Sequence, residues 1–135
     1  MKFISLFVTL LTVAFITGSC TKNGEPATSL SGTWQLTGRE GYRAPTPSGS
    51  PNEAVTFTGA EFYFYKDNRQ TGYGTYAFVS GSTCGNPAST PVLRFTYADV
   101  SNTLADAVAT VTGNTLVLDY GIACDAPRET YVRVP

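Results

Sequence analysis

Histidine is absent from this chain, which removes the side chain most often used for acid–base catalysis near neutral pH and the commonest nitrogen ligand for transition metals. Cysteine is scarce. Cys20, Cys84 and Cys124 are the only three, and their spacing leaves no close pair of the kind that grips zinc. Charged residues make up 14% of the chain and the net charge is −1, so no basic stripe is available for a nucleic-acid backbone. No serine sits in a recognisable nucleophile elbow, and the carboxylates Glu61, Asp67, Asp106, Asp119, Asp125 and Glu129 are scattered. Asp125 and Glu129 are near enough to weigh as a glycosidase acid pair, but they flank a loop and a strand start carrying Arg128 and read as a solvated charge cluster. The expectation is a protein that is not an enzyme and carries no metal and no cofactor.

Long apolar runs are limited to one. Met1-Lys2 leads into the segment Phe3 to Ile16 and then into "TGSC", the order of an export signal. Its 14 residues fall short of the roughly 20 that a helix needs to cross the hydrocarbon core. "ITGSC" resembles the lipobox of bacterial lipoproteins, with the departure that Thr17 stands where a leucine-like residue is usual and Ile16 lies one place further back. The resemblance implies a signal peptide over residues 1–19, acylation of Cys20 as the new N-terminus, and attachment to a membrane through that lipid. Thr21, in place of an aspartate after the cysteine, implies the outer membrane by the same resemblance to Gram-negative lipoproteins. Residues 20–29 then form a polar tether, with Gly24 and Pro26 opposing regular structure. Removing residues 1–19 takes away Lys2 and no acid, which moves the net charge from −1 to −2. About 105 residues remain, enough for one domain over 30–135 and too few for two.

Cys84 and Cys124 are left, and in an oxidising compartment the single pairing they allow is a disulfide by default.

Helical periodicity is missing after Ser29, whereas β-branched and aromatic residues recur in short runs between Gly, Pro, Asn and Asp. Strands are expected near residues 32–38, 54–58, 61–66, 72–79, 91–97, 106–111, 114–120 and 129–134. Thr58-Gly59-Ala60, Asp67-Asn68 and Gly113-Asn114 mark tight reversals, so sequence neighbours should pair antiparallel. Residues 41–53 and 81–90 are the long loops, the second carrying Cys84. Eight antiparallel strands in simple order remove their exposed edges by closing, so the expected fold class is all-β, a single small up-and-down eight-stranded barrel, with a sandwich as the rival. Strict meander order puts Cys84 and Cys124 at opposite ends of such a barrel. The seven residues from Cys84 to Pro91 can span roughly 23 Å and fold back along a strand, which would bring the cysteines together.

Gly32-Thr33-Trp34 on the first strand, a long first loop, a meander, and "ETYVRV" with Arg133 on the last strand resemble the lipocalin-like domain of small bacterial lipoproteins. That resemblance covers residues 30–135. It implies that Trp34 plugs the closed end of the barrel and that Arg133 packs across its indole. The aromatic inward faces read as a lumen for a small apolar ligand; the alternative is a tethered structural or interaction module with a filled barrel that meets another envelope protein.

Alternation along the strands names the inward side chains: Trp34, Phe62, Phe64, Tyr76, Phe78, Phe95, Tyr97 and Tyr120. Short strands make a shallow lumen, and these large side chains use it up. A cleft at the open end, beneath the Gly41 to Glu53 loop, is therefore the expected site, with Phe64, Tyr76 and Phe95 as candidate lining.

Overall fold

The computed structural model describes residues 29–41, 52–98 and 104–135; the signal segment, Cys20 and the tether up to residue 28 lie outside the described residues. The strands are β1 (Gly32–Glu40), β2 (Glu53–Thr58), β3 (Glu61–Lys66), β4 (Arg69–Gly81), β5 (Thr90–Tyr97), β6 (Leu104–Thr112), β7 (Thr115–Asp119) and β8 (Arg128–Arg133). Each pairs antiparallel with the next, and β8 pairs back with β1, so the sheet closes on itself. Every expected strand is present, because each keeps its period-two alternation: Val55 and Phe57 in β2, and Leu116 and Leu118 in β7, are buried between more exposed neighbours. Turn chemistry sets the reversals. Asp67 and Asn68 both take positive φ, while Gly59 and Gly113 each take φ 58° as the first residue of their turns.

Aromatic side chains fill the middle of the closed sheet. Phe62 meets Phe95, Tyr97 and Phe64 edge-on at centroid distances of 4.9, 5.0 and 5.4 Å. Such pairs contribute about 0.5–1.5 kcal/mol each beyond the area they bury. Room for them comes from β4, where Gly72 and Gly74 pair with Phe64 and Phe62. A Cβ at Gly74 would run into the Thr96 carbonyl, and one at Gly72 would lie 3.2 Å from the Tyr97 ring.

The β4–β5 hairpin departs from the expected pattern. Leu93 is the first β5 residue paired with β6, so Thr90, Pro91 and Val92 pair with β4 alone. In this arm the burial parity is disturbed: Val92 is fully buried but lies outside the main core, while Phe78, opposite Leu93, is 61% exposed. The arm peels from β6 and folds over the outer side of the sheet, where Gly81 comes beside Val92 and the Asp106 carboxylate. Phe78 is thus corrected from inward to exposed, because alternation predicts facing only while a strand stays in the sheet.

The same bend unites the cysteines. Cys84 packs against Gly121 and Gly85 against Ala123, and the Cα atoms of the Cys84–Cys124 disulfide are 5.7 Å apart. The whole arm makes the approach, where a loop folding back alone was expected. Closing a separation of 40 residues stabilises the fold by roughly 3–4 kcal/mol in the chain-entropy account. Cys124 ends a 3-10 turn, Ile122–Cys124, whose start is held by Asp119 Oδ1 accepting from the Gly121 and Ile122 amides at 2.8 and 2.9 Å.

Candidate functional site

The two ends of the closed sheet differ. At the end where Ser29 enters, Trp34 is fully buried and its indole N–H donates to the Leu30 carbonyl at 2.7 Å. Arg133, its register partner on β8, lies with its guanidinium 4.1 Å over the indole and donates to the Ser31 and Ser29 carbonyls at 2.6 and 2.7 Å. The same end holds Tyr76, whose hydroxyl donates to the Gly59 carbonyl at 2.8 Å. Phe95 is fully buried in the middle.

The opposite end opens. A cavity of about 440 Å³ is walled by Phe64, Tyr97, Tyr120 and Tyr131 and carries the polar side chains of Arg39, Glu53, Lys66 and Glu129. Of the three expected lining residues only Phe64 reaches it. Tyr76 and Phe95 share its face of the sheet but do not line it: Tyr76 lies at the opposite end and Phe95 is packed in the aromatic middle between them.

Arg39 arrives there through a bulge. Leu36 pairs with Tyr131 and Gly38 with Thr130, so Thr37 is an extra residue with no partner. Strict alternation from Trp34 and Leu36 would send Gly38 and Glu40 inward. The bulge instead places Arg39 opposite the inward Glu129. A second irregularity in the β3–β4 pairing, between Phe64 and Tyr65, leaves Thr71 at the cavity wall.

The polar groups form one network. Arg39 Nε donates to Glu129 Oε1 at 2.8 Å and Nη2 donates to Glu53 Oε2 at 2.6 Å. Tyr131 donates its hydroxyl to Glu129 Oε2 at 2.6 Å, and Lys66 Nζ stands 3.5 Å from Glu53 Oε1. Burial alone would lower the pKa of Arg39, but the hydrogen bonds and charges of Glu53 and Glu129 outweigh it and hold the guanidinium above its usual range. Burial pushes the Tyr120 and Tyr131 hydroxyls well up, and the Glu129 charge adds to it. The arrangement is an electrically balanced mouth over an apolar floor, with both carboxylates engaged by donors. Among the described residues no three of the acids and cysteines gather as a metal site needs.

Glu129 is a correction. It is 8% exposed and belongs to this internal network, not to a solvated cluster with Asp125, which caps the 3-10 turn at φ 64°. The signal was available: in "ETYVRV" an inward Arg133 requires an inward Tyr131 and Glu129, two and four residues back. Arg39, by contrast, was hidden by the bulge, and Glu53 by its place at the end of a long loop.

No family model, no curated protein and no solved structure matches this chain. Among the described residues no helix is long and apolar enough to cross a membrane.

Proposed function

We propose that this chain is a lipid-anchored lipoprotein of the outer membrane, with a lipocalin-like barrel that binds a small ring-bearing molecule at its mouth. The observation that carries the binding role is the contrast inside the closed sheet: aromatic side chains fill its middle, while about 440 Å³ stays open at one end. That volume falls within the roughly 300–1,000 Å³ of small-molecule pockets, and aromatic walls with a few convergent polar groups are their usual chemistry. The filled middle argues against a long acyl chain as cargo. The lipocalin-like architecture is supported by Trp34 under Arg133 on the first and last strands.

Support for the anchor comes from the apolar run ending in "TGSC". Ser29 lies at the Trp34 end, so a lipid on Cys20 would leave the mouth on the far side from the tether. The rival role, a tethered module that docks on an envelope protein, draws on the exposed Phe78 and Leu104.

Native mass spectrometry on the chain extracted from its own membrane tests the proposal. The expected species is residues 20–135 plus acyl chains, with a small molecule held noncovalently. A chain retaining Met1 would overturn the anchor, and a stoichiometric long-chain lipid in the interior would overturn the filled-core argument. A co-purifying polypeptide in place of a small molecule would favour the docking module.

A further inference from the structure

Among the described residues the charged groups of the mouth are unequally engaged. Every carboxylate oxygen already faces a donor: Glu129 has Arg39 on Oε1 and Tyr131 on Oε2, and Glu53 has Arg39 on Oε2 and Lys66 near Oε1. Donors remain to spare. Arg39 uses Nε and Nη2, and its Nη1 has no partner among the described residues. Among the described residues Lys66 has only the 3.5 Å approach to Glu53, and its side chain is 54% exposed. A second hollow continues from the mouth, sharing Lys66 and Thr71 with it and adding Arg69 and Asp67, two cations to one acid.

Incoming ligands therefore meet unequal costs. A cation would have to share carboxylates already engaged by Arg39 and Lys66 and stand beside those two positive charges, whereas an anion takes up N–H groups that no described residue uses. Hydrogen bonds to ionised groups are about twice as strong as neutral ones, and more so where walls exclude water. Resting on the binding role proposed above, we infer that the mouth is built for a small aromatic carboxylate. Its ring lies among Phe64, Tyr97 and Tyr131, and its carboxylate faces Arg39 Nη1 and Lys66 Nζ.

Three probes sharing one ring test this: 2-naphthoate, 2-naphthamide and 2-naphthylmethylammonium, titrated calorimetrically into the full chain in detergent solution. Naphthoate should bind about tenfold or more tighter than the amide, the worth of one good hydrogen bond to a charged group. Lys66→Gln, at an exposed strand end, should weaken naphthoate about fivefold and leave the amide unchanged. Arg39→Lys keeps the positive charge between the two glutamates but removes the spare N–H groups, and should act in the same direction. Equal binding of naphthoate and naphthamide would overturn the carboxylate inference while leaving the binding role standing. Tightest binding of the ammonium probe would overturn it in favour of the glutamates as recognising groups. Failure of all three to bind at millimolar concentration would overturn the binding role and this inference together.

Discussion

The closed end and the mouth are built by the same two strands around the same residue type, yet they do opposite things. At one end β8 supplies Arg133 to a β1 tryptophan; at the other β1 supplies Arg39 to a β8 glutamate. Arg133 sits at the rim, where an indole face and two backbone carbonyls hold it with no opposing charge among the described residues. Arg39 is drawn further inside and needs two carboxylates. A cation over an apolar face can close a barrel, whereas a cation inside one must bring its counter-charges, and those occupy space that apolar packing would otherwise fill. Thr37, the bulged residue between the two positions, is what separates them.

The largest way to break this contrast is Arg39→Met, which strands Glu53 and Glu129 together without a cation. It should destabilise the fold by on the order of 3 kcal/mol in urea denaturation, tempered by the partial exposure of Arg39. A loss no larger than that of a surface arginine would show that the mouth network is ornamental.

Alkaline titration separates the ends next. Tyr120 and Tyr131 have hydroxyl pKa values raised in the folded state, so their contribution to stability is fully present below the unfolded value near pH 10 and is lost as pH rises through the folded values. Of the eight tyrosines, these two should resist ionisation in ultraviolet titration until the fold opens. If all eight ionise together in folded protein, the mouth is more open than described.

At the closed end Arg133→Ala should cost about 1–2 kcal/mol, from the lost cation–π contact and packing, and should shift the emission of Trp34 to the red. The parent protein should emit in the blue, as a fully buried indole does. Emission like that of indole in water would refute the burial.

Deleting Thr37 sharpens the role of the bulge. Removal of the unpaired residue leaves Arg39 opposite Glu129 in a regular ladder, so the cost should stay near 1 kcal/mol, whereas deletion of Gln35 moves Trp34 out of register and should prevent folding. Thermal melts of the two deletions give the comparison, and equal damage would remove the bulge from the account.

The smallest effect lies on the wall between the ends. The hydrogen bonds from Arg94 depress the Asp106 carboxyl pKa, so its contribution is present above the unfolded value near pH 4 and is lost as pH falls through the folded value. Asp106→Asn should cost under about 1 kcal/mol at neutral pH, with the difference from the parent vanishing in acid. A difference that persists at low pH would assign the effect to packing.

How much was legible follows from what each residue's neighbours could reveal. Phe62, Phe95 and Trp34 declared their facing by alternation, and Asp67-Asn68 and Gly113-Asn114 declared their turns, because strand and turn preferences act over two to four residues. Phe78 and Arg39 did not, since a bent hairpin arm and a bulge each change facing without a local signature. Glu129 was legible in principle, through its parity with Arg133, but reads as a solvent charge when weighed by residue type.

Composition and periodicity alone determined that this chain makes eight antiparallel strands, an aromatic interior and one possible pairing of its two later cysteines, since all of these follow from short-range chemistry. Tertiary structure alone decided which arginine enters the lumen, that a glutamate from β2 and one from β8 meet on it, and that the β4–β5 arm crosses the outer wall to Cys124. Those outcomes depend on closure of the sheet, which joins residues 90 positions apart in sequence, as in the pairing of Arg39 with Glu129, and no local pattern encodes a contact of that range.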